Sequence, residues 1–91
     1  MKRARVTEVI AFLGLERSSI LEELRREGLF EGEWLEPDAA EELRVAAALM
    51  RDLGVNPAGV EVVLQLRRRL LALEGLTTDS LRRLLAEFDE R

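Results

Sequence analysis

Apolar residues in this chain recur at helical spacing between a few breakers: Gly14, Gly28, Gly32, Pro37, Gly54, Pro57, Gly59 and Gly75. Val9, Ile10 and Leu13 define the inner face of a short first helix, with Thr7 as its cap and Gly14 as its stop. Ser19 and Glu22 have capping-box spacing, which predicts a second helix from about Ile20 to Glu27 carrying Ile20, Leu21 and Leu24 inward. The link from Gly14 to Ser18 has helix-turn-helix spacing.

Leu29 to Leu35 places apolar residues on either side of Glu31-Gly32-Glu33, the pattern of a small hairpin or an irregular loop. Pro37 suits the first position of a longer helix, whose buried stripe is Leu43, Ala46, Ala47, Met50 and Leu53, closed by Gly54. Asn56 caps the next helix and Pro57 enters it. Val60, Val63, Leu64, Leu66, Leu70 and Leu71 mark that helix to about Glu74, where Gly75 is expected to break it. Thr77 or Thr78 then caps a last helix with Leu81, Leu84, Leu85 and Phe88 on one face. The expected fold class is all-α: one domain over residues 1–91, with a helix-turn-helix over 6–30, a wing over 29–35, two longer helices over 37–74 and a C-terminal helix over 77–90.

Composition narrows the function. The 91 residues hold one modest core. There is no Cys and no His, which excludes disulfides, thiolate metal sites and any triad built on either residue. No catalytic group, cofactor or metal site is expected. The basic start Lys2-Arg3-Ala4-Arg5 is followed by no apolar run of signal-peptide length, and no stretch approaches the ~20 apolar residues of a membrane span. A cytoplasmic location is therefore expected. Thirteen of the fourteen basic residues are Arg, a bias that fits a GC-rich genome and a thermophile.

Charge is unevenly distributed. Residues 1–30 carry six basic and five acidic side chains, residues 31–54 two and seven, and residues 55–91 six of each. The whole negative balance of −4 thus lies in and just after the wing, where Glu31, Glu33, Glu36, Asp38, Glu41 and Glu42 follow one another without a Lys or Arg.

The helix-turn-helix, the small wing and the two longer helices joined by Leu53-Gly54-Val55-Asn56-Pro57-Ala58-Gly59-Val60 resemble the MerR-type winged helix-turn-helix family. With Asn56, Gly59-Val60-Glu61 and Leu64, the segment 53–66 looks most like its heat-shock repressor and chaperone-modulator (CbpM-like) branches. The second branch implies a non-enzymatic modulator that binds the J-domain of a DnaJ-type co-chaperone and regulates its action with DnaK, or holds a DnaK–DnaJ assembly together. The first implies a DNA-binding regulator of heat-shock genes. Family members dimerise through the helix that follows, so a homodimer is an expectation too, of a compact kind if Gly75 interrupts that helix.

Charge favours the modulator. The resemblance implies that a MerR-type DNA binder carries an Arg-aromatic-aromatic cluster on the second helix, where this chain has Glu22, Glu23 and Leu24, and a phosphate-facing wing wants Arg rather than Glu. A pI near 4.9 points the same way. An acidic face suits a basic partner such as the Lys- and Arg-rich helix of a J-domain. The expected contact surface is Glu22, Glu23, Phe30, Glu31, Glu33 and Trp34, the two aromatics serving as anchors. Arg67-Arg68-Arg69 is read as a solvated face, because consecutive helical residues point about 100° apart.

Overall fold

Arg3, Ala4 and Arg5 alternate polar and apolar before Val6, and the chain there is extended. A computed structural model of the protein describes residues 2–89, apart from the side chains of residues 77, 78, 88 and 89. The elements are β1 (Ala4–Arg5), α1 (Val6–Phe12), α2 (Ile20–Arg26), β2 (Trp34–Leu35), α3 (Pro37–Leu53) and α4 (Pro57–Asp89). β1 and β2 pair antiparallel, with Ala4 opposite Leu35 and Arg5 opposite Trp34. Successive side chains of a strand face opposite ways. Leu35 is therefore buried in the core while Arg5 and Trp34 face out.

Of the two forms expected for Leu29–Leu35, a small hairpin or an irregular loop, the structure shows the loop. Leu29–Leu35 does not fold back on itself as a hairpin. Its strand pairs instead with β1, thirty residues earlier in the chain. The pairing extends into α1, where the Val6 N–H donates to the Glu33 carbonyl at 2.9 Å. That bond satisfies a donor at the helix start, so α1 begins at Val6 with Arg5 at the cap position, and Thr7 lies inside the helix rather than capping it. At α2, Ser19 occupies the cap position but makes no side-chain capping bond. The Ser18 hydroxyl accepts from the Ile20 N–H instead, at 3.3 Å.

α3 starts at Pro37 and stops at Gly54, whose φ of 67° is the left-handed conformation that ends helices cheaply only when Cβ is absent. Its buried residues are Leu43, Ala46, Ala47 and Met50, while Leu53 is 72% exposed and is not part of the stripe. Asn56 caps α4 through its Oδ1, which accepts from the Gly59 N–H at 2.8 Å. A Cβ at Gly59 would stand 2.8 Å from Val55 Cγ1, so a larger residue there would have to displace that side chain.

The largest departure is α4 itself, a single helix of 33 residues. Gly75 does not break it, so no separate C-terminal helix is added. An interior helical Gly costs only about 1 kcal/mol relative to Ala, which the surrounding Leu, Ala and Arg residues tolerate. The caps expected at Thr77 or Thr78 and the packing expected of Phe88 lie outside the described side chains.

The core gathers Val6, Ile10, Leu15, Leu24, Phe30, Leu35, Leu43, Ala46, Ala47, Met50, Val60 and Leu64 into one cluster. Leu15, Leu24 and Leu43 are wholly buried. Val60 and Leu64 are the residues that α4 commits to it, and Arg68 then clamps α4 to α3 through two bonds to the Glu42 carboxylate, at 2.6 and 2.7 Å. Beyond that clamp α4 leaves the body. Leu70, expected in the core, is 60% exposed. A 33-residue helix is about 50 Å long, which accounts for the 60 × 27 × 19 Å shape of the molecule.

Candidate protein-interaction surface

Glu22 and Glu23 sit in the first turn of α2, where carboxylates are favoured by the helix dipole. Glu22 is exposed and Glu23 half-buried. One turn on, Arg25 lies 3.4 Å from the Glu22 carboxylate and holds its guanidinium 5.4 Å from the Phe30 ring centre. Arg25 thus ties α2 to the start of the wing. Phe30 itself is only 5% exposed and belongs to the core. Its expected role as a contact anchor is corrected on that ground: a side chain buried in the core cluster with Leu24 and Leu43 is not on offer to a partner.

Glu31 and Glu33 are exposed on the wing. Trp34 is 40% exposed, and two guanidiniums cover its ring: Arg3 at 4.7 Å and Arg5 at 4.9 Å from the centroid. Such contacts are worth about 0.5–1 kcal/mol at an exposed site. The β1–β2 register explains them. Arg5 is directly opposite Trp34, and Arg3, two residues away, projects on the same face.

Two features change the electrostatic picture. First, the wing is acidic in sequence but mixed in space, because β1 brings Arg3 and Arg5 onto it. Second, the acidic run divides. Glu41 is bonded to Arg44 and Glu42 to Arg68. Hydrogen bonding to Arg68 holds the Glu42 carboxyl below the usual carboxylate value, with partial burial opposing and the charges of Arg68 and Arg67 assisting. Glu41 is likewise lowered, chiefly by its bond to Arg44. These two acids brace helices, whereas Glu31, Glu33 and Glu36 remain exposed. Arg68, read from sequence as one of three solvated arginines, is a structural clamp.

Two surfaces escaped the sequence reading. Arg3 and Arg5 join the wing through a strand too short for a periodicity signal, although the alternation Arg3-Ala4-Arg5-Val6 was a weak one. Between α1 and α3 lies a shallow groove of about 380 Å³, lined mainly by Val9, Phe12, Leu13, Pro37 and Ala40. Phe12 stands beside it 87% exposed, off the Val9–Ile10–Leu13 face. Among the described residues no helix is long and apolar enough to cross a membrane.

This geometry is a mostly helical domain with a two-stranded antiparallel sheet, compatible with an all-α winged helix. No family model, no curated protein and no solved structure matches the chain.

Proposed function

We propose that this chain is a non-enzymatic, cytoplasmic co-chaperone modulator on a MerR-type winged scaffold, which binds the J-domain of a DnaJ-type protein and regulates its work with DnaK. The observation that supports this reading is the exposed acidic wing, Glu31 and Glu33, adjoining a half-exposed tryptophan. An aromatic ring rimmed by charges is the usual make-up of a hot spot, and the carboxylates give a basic J-domain helix its orientation. The mechanism is occupation of the DnaK-facing surface, with no bond made or broken. Glu22 and Glu23 extend the surface along α2, and Phe30 supports it from within.

A second reading, a MerR-type DNA-binding regulator of heat-shock genes, gains one observation: Arg3 and Arg5 lie on the wing face with Trp34. Phosphate contacts need such guanidiniums. One pair of assays separates the two. The modulator reading expects capture of a purified J-domain that weakens as salt rises, and no retention on duplex DNA at ~150 mM salt. Trp34→Ala is expected to speed J-domain dissociation and to cost about 2 kcal/mol of affinity. Tight DNA binding without J-domain capture transfers the assignment to the regulator.

A further inference from the structure

The exposed apolar side chains of the winged body gather beside α3. Of the large apolar residues that precede α4, Phe12 and Leu53 are the most exposed, at 87% and 72%. Phe12 stands at the groove between α1 and α3. Leu53 stands at a second shallow hollow, of about 350 Å³, farther along α3. Pro37, Ala40, Arg44, Ala48 and Asp52 recur every three or four residues and line the two hollows between them. They form one track on the side of α3 turned away from Leu43 and Met50. From Pro37 to Leu53 the track is about 24 Å long.

Two properties of this track identify its occupant. The first is the nature of its walls. Both are helices, whose interior main-chain groups are already hydrogen-bonded, so an extended peptide finds no ladder to join. A helix brings its own main chain satisfied, and its apolar side chains at i, i+3, i+4 and i+7 can enter between α1 and α3. The second is charge. Glu8 lines the groove on α1, and Glu36 and Asp38 flank Pro37 on the other wall. All three are exposed, and none makes an ion pair among the described residues. Of the guanidiniums nearby in the chain, Arg44 is bonded to Glu41 and Arg5 lies over the Trp34 ring. That end of the track therefore carries unneutralised carboxylates, which match Lys or Arg.

We infer that the α1–α3 face is a second docking surface, for a basic amphipathic helix of another protein whose apolar side is open before it binds. Its apolar side chains pack against Val9, Phe12, Leu13 and Ala40, and its basic ones meet Glu8, Glu36 and Asp38. This occupant differs from the partner proposed for the wing. A helix built into a globular domain such as a J-domain keeps its apolar side inside and offers the charged side, whereas the track takes the apolar side. The inference is thus independent of what the wing binds.

The probe is a fluorescein-labelled synthetic peptide of about 18 residues, five helical turns, with Leu at the i, i+3, i+4 and i+7 positions and Lys elsewhere. One control peptide has the same residues in an order without that spacing, and another has Glu in place of Lys. In anisotropy titrations the patterned Lys peptide is expected to bind at least tenfold more tightly than either control, and less tightly as salt rises. Phe12→Ala is expected to weaken its binding about tenfold while circular dichroism shows the body still folded, since the core does not use that ring. Glu8→Lys is expected to weaken it as well. Peptide-induced amide shifts in the NMR spectrum are expected at residues 9–13 and 37–44. Equal binding of the three peptides, or parental affinity in Phe12→Ala, overturns the inference. So do shifts confined to residues 31–34 or to the distal part of α4. A two-chain species that Phe12→Ala dissociates overturns it too, because a second copy then holds the face. A failed J-domain capture beside the expected peptide results leaves this surface standing and rejects only the wing's partner.

Discussion

The two parts of α4 have the same kind of sequence and opposite fates. Residues 57–68 carry apolar residues at helical spacing, and Val60 and Leu64 are 2% and 3% exposed. Residues 69–89 are just as rich in leucine, and Leu70, Leu71, Leu73, Leu76, Leu81, Leu84 and Leu85 are each about half exposed or more. An amphipathic pattern specifies which side of a helix is apolar, not what covers it. Cover depends on where the rest of the chain lies, and here the body ends at the Glu42–Arg68 clamp.

Substitutions on either side of that clamp test the contrast most strongly. Leu64→Ala is expected to cost about 2–5 kcal/mol of folding stability, as large-to-small changes in a packed core do. For a domain this size that is a large share of the total. Leu81, 55% exposed, is expected to tolerate replacement by Ala with a change in stability within about 0.5 kcal/mol of the parent. Urea titrations at low protein concentration measure both, and equal losses at the two positions erase the contrast.

The junction comes next in size. Asn56→Ala removes the side-chain acceptor for the Gly59 N–H and is expected to cost about 1 kcal/mol. An unchanged melting curve would show that water replaces the cap without loss.

Gly75→Ala acts in the opposite direction. Nothing lies within 4 Å of a Cβ added there, and Gly75 lies inside the helix. The expected gain is about 0.5–1 kcal/mol of helix stability, seen as increased ellipticity at 222 nm. A loss of helicity would show that Gly75 is not an ordinary interior position of α4.

The smallest effect is that of pH on the clamp. The Glu42 carboxyl is lowered in the folded state, so its stabilising contribution is fully present above the unfolded value near 4.5 and is lost as pH falls through the lower folded value. Arg68 is more than half exposed, and screening keeps the contribution below about 1 kcal/mol. Glu42→Gln is expected to flatten that part of the stability–pH curve below pH 4.5 and to leave the rest of it alone.

Much of the helical body was legible from local signals. Pro37, Gly54 and the Asn56–Pro57 pair act through their own backbone chemistry, and the stripe Leu43–Ala46–Ala47–Met50 through a period of 3.6. The candidate surface was legible only in part. Glu31, Glu33 and Trp34 are exposed as expected, but Phe30 is not. Two aromatics four residues apart beside a turn look equivalent in sequence. Phe30 is buried in the core beside Arg25 of α2, whereas a strand pairing across thirty residues sets Trp34 at the surface under Arg3 and Arg5.

What the sequence by itself determined is therefore what neighbouring residues decide among themselves: helix starts and stops set by Pro, Asn and positive-φ Gly, the apolar face of each helix, and the sign of the charge along the chain. Tertiary structure decided the rest. It brought β1 to the wing and so mixed arginines into an acidic segment. It buried Leu15 inside a turn, where no periodicity marks it, and carried α4 through Gly75. It also spent Glu42 on Arg68 while leaving Glu31 and Glu33 free. Each of these depends on the free energy of contacts between residues distant in sequence, which no window of local pattern contains.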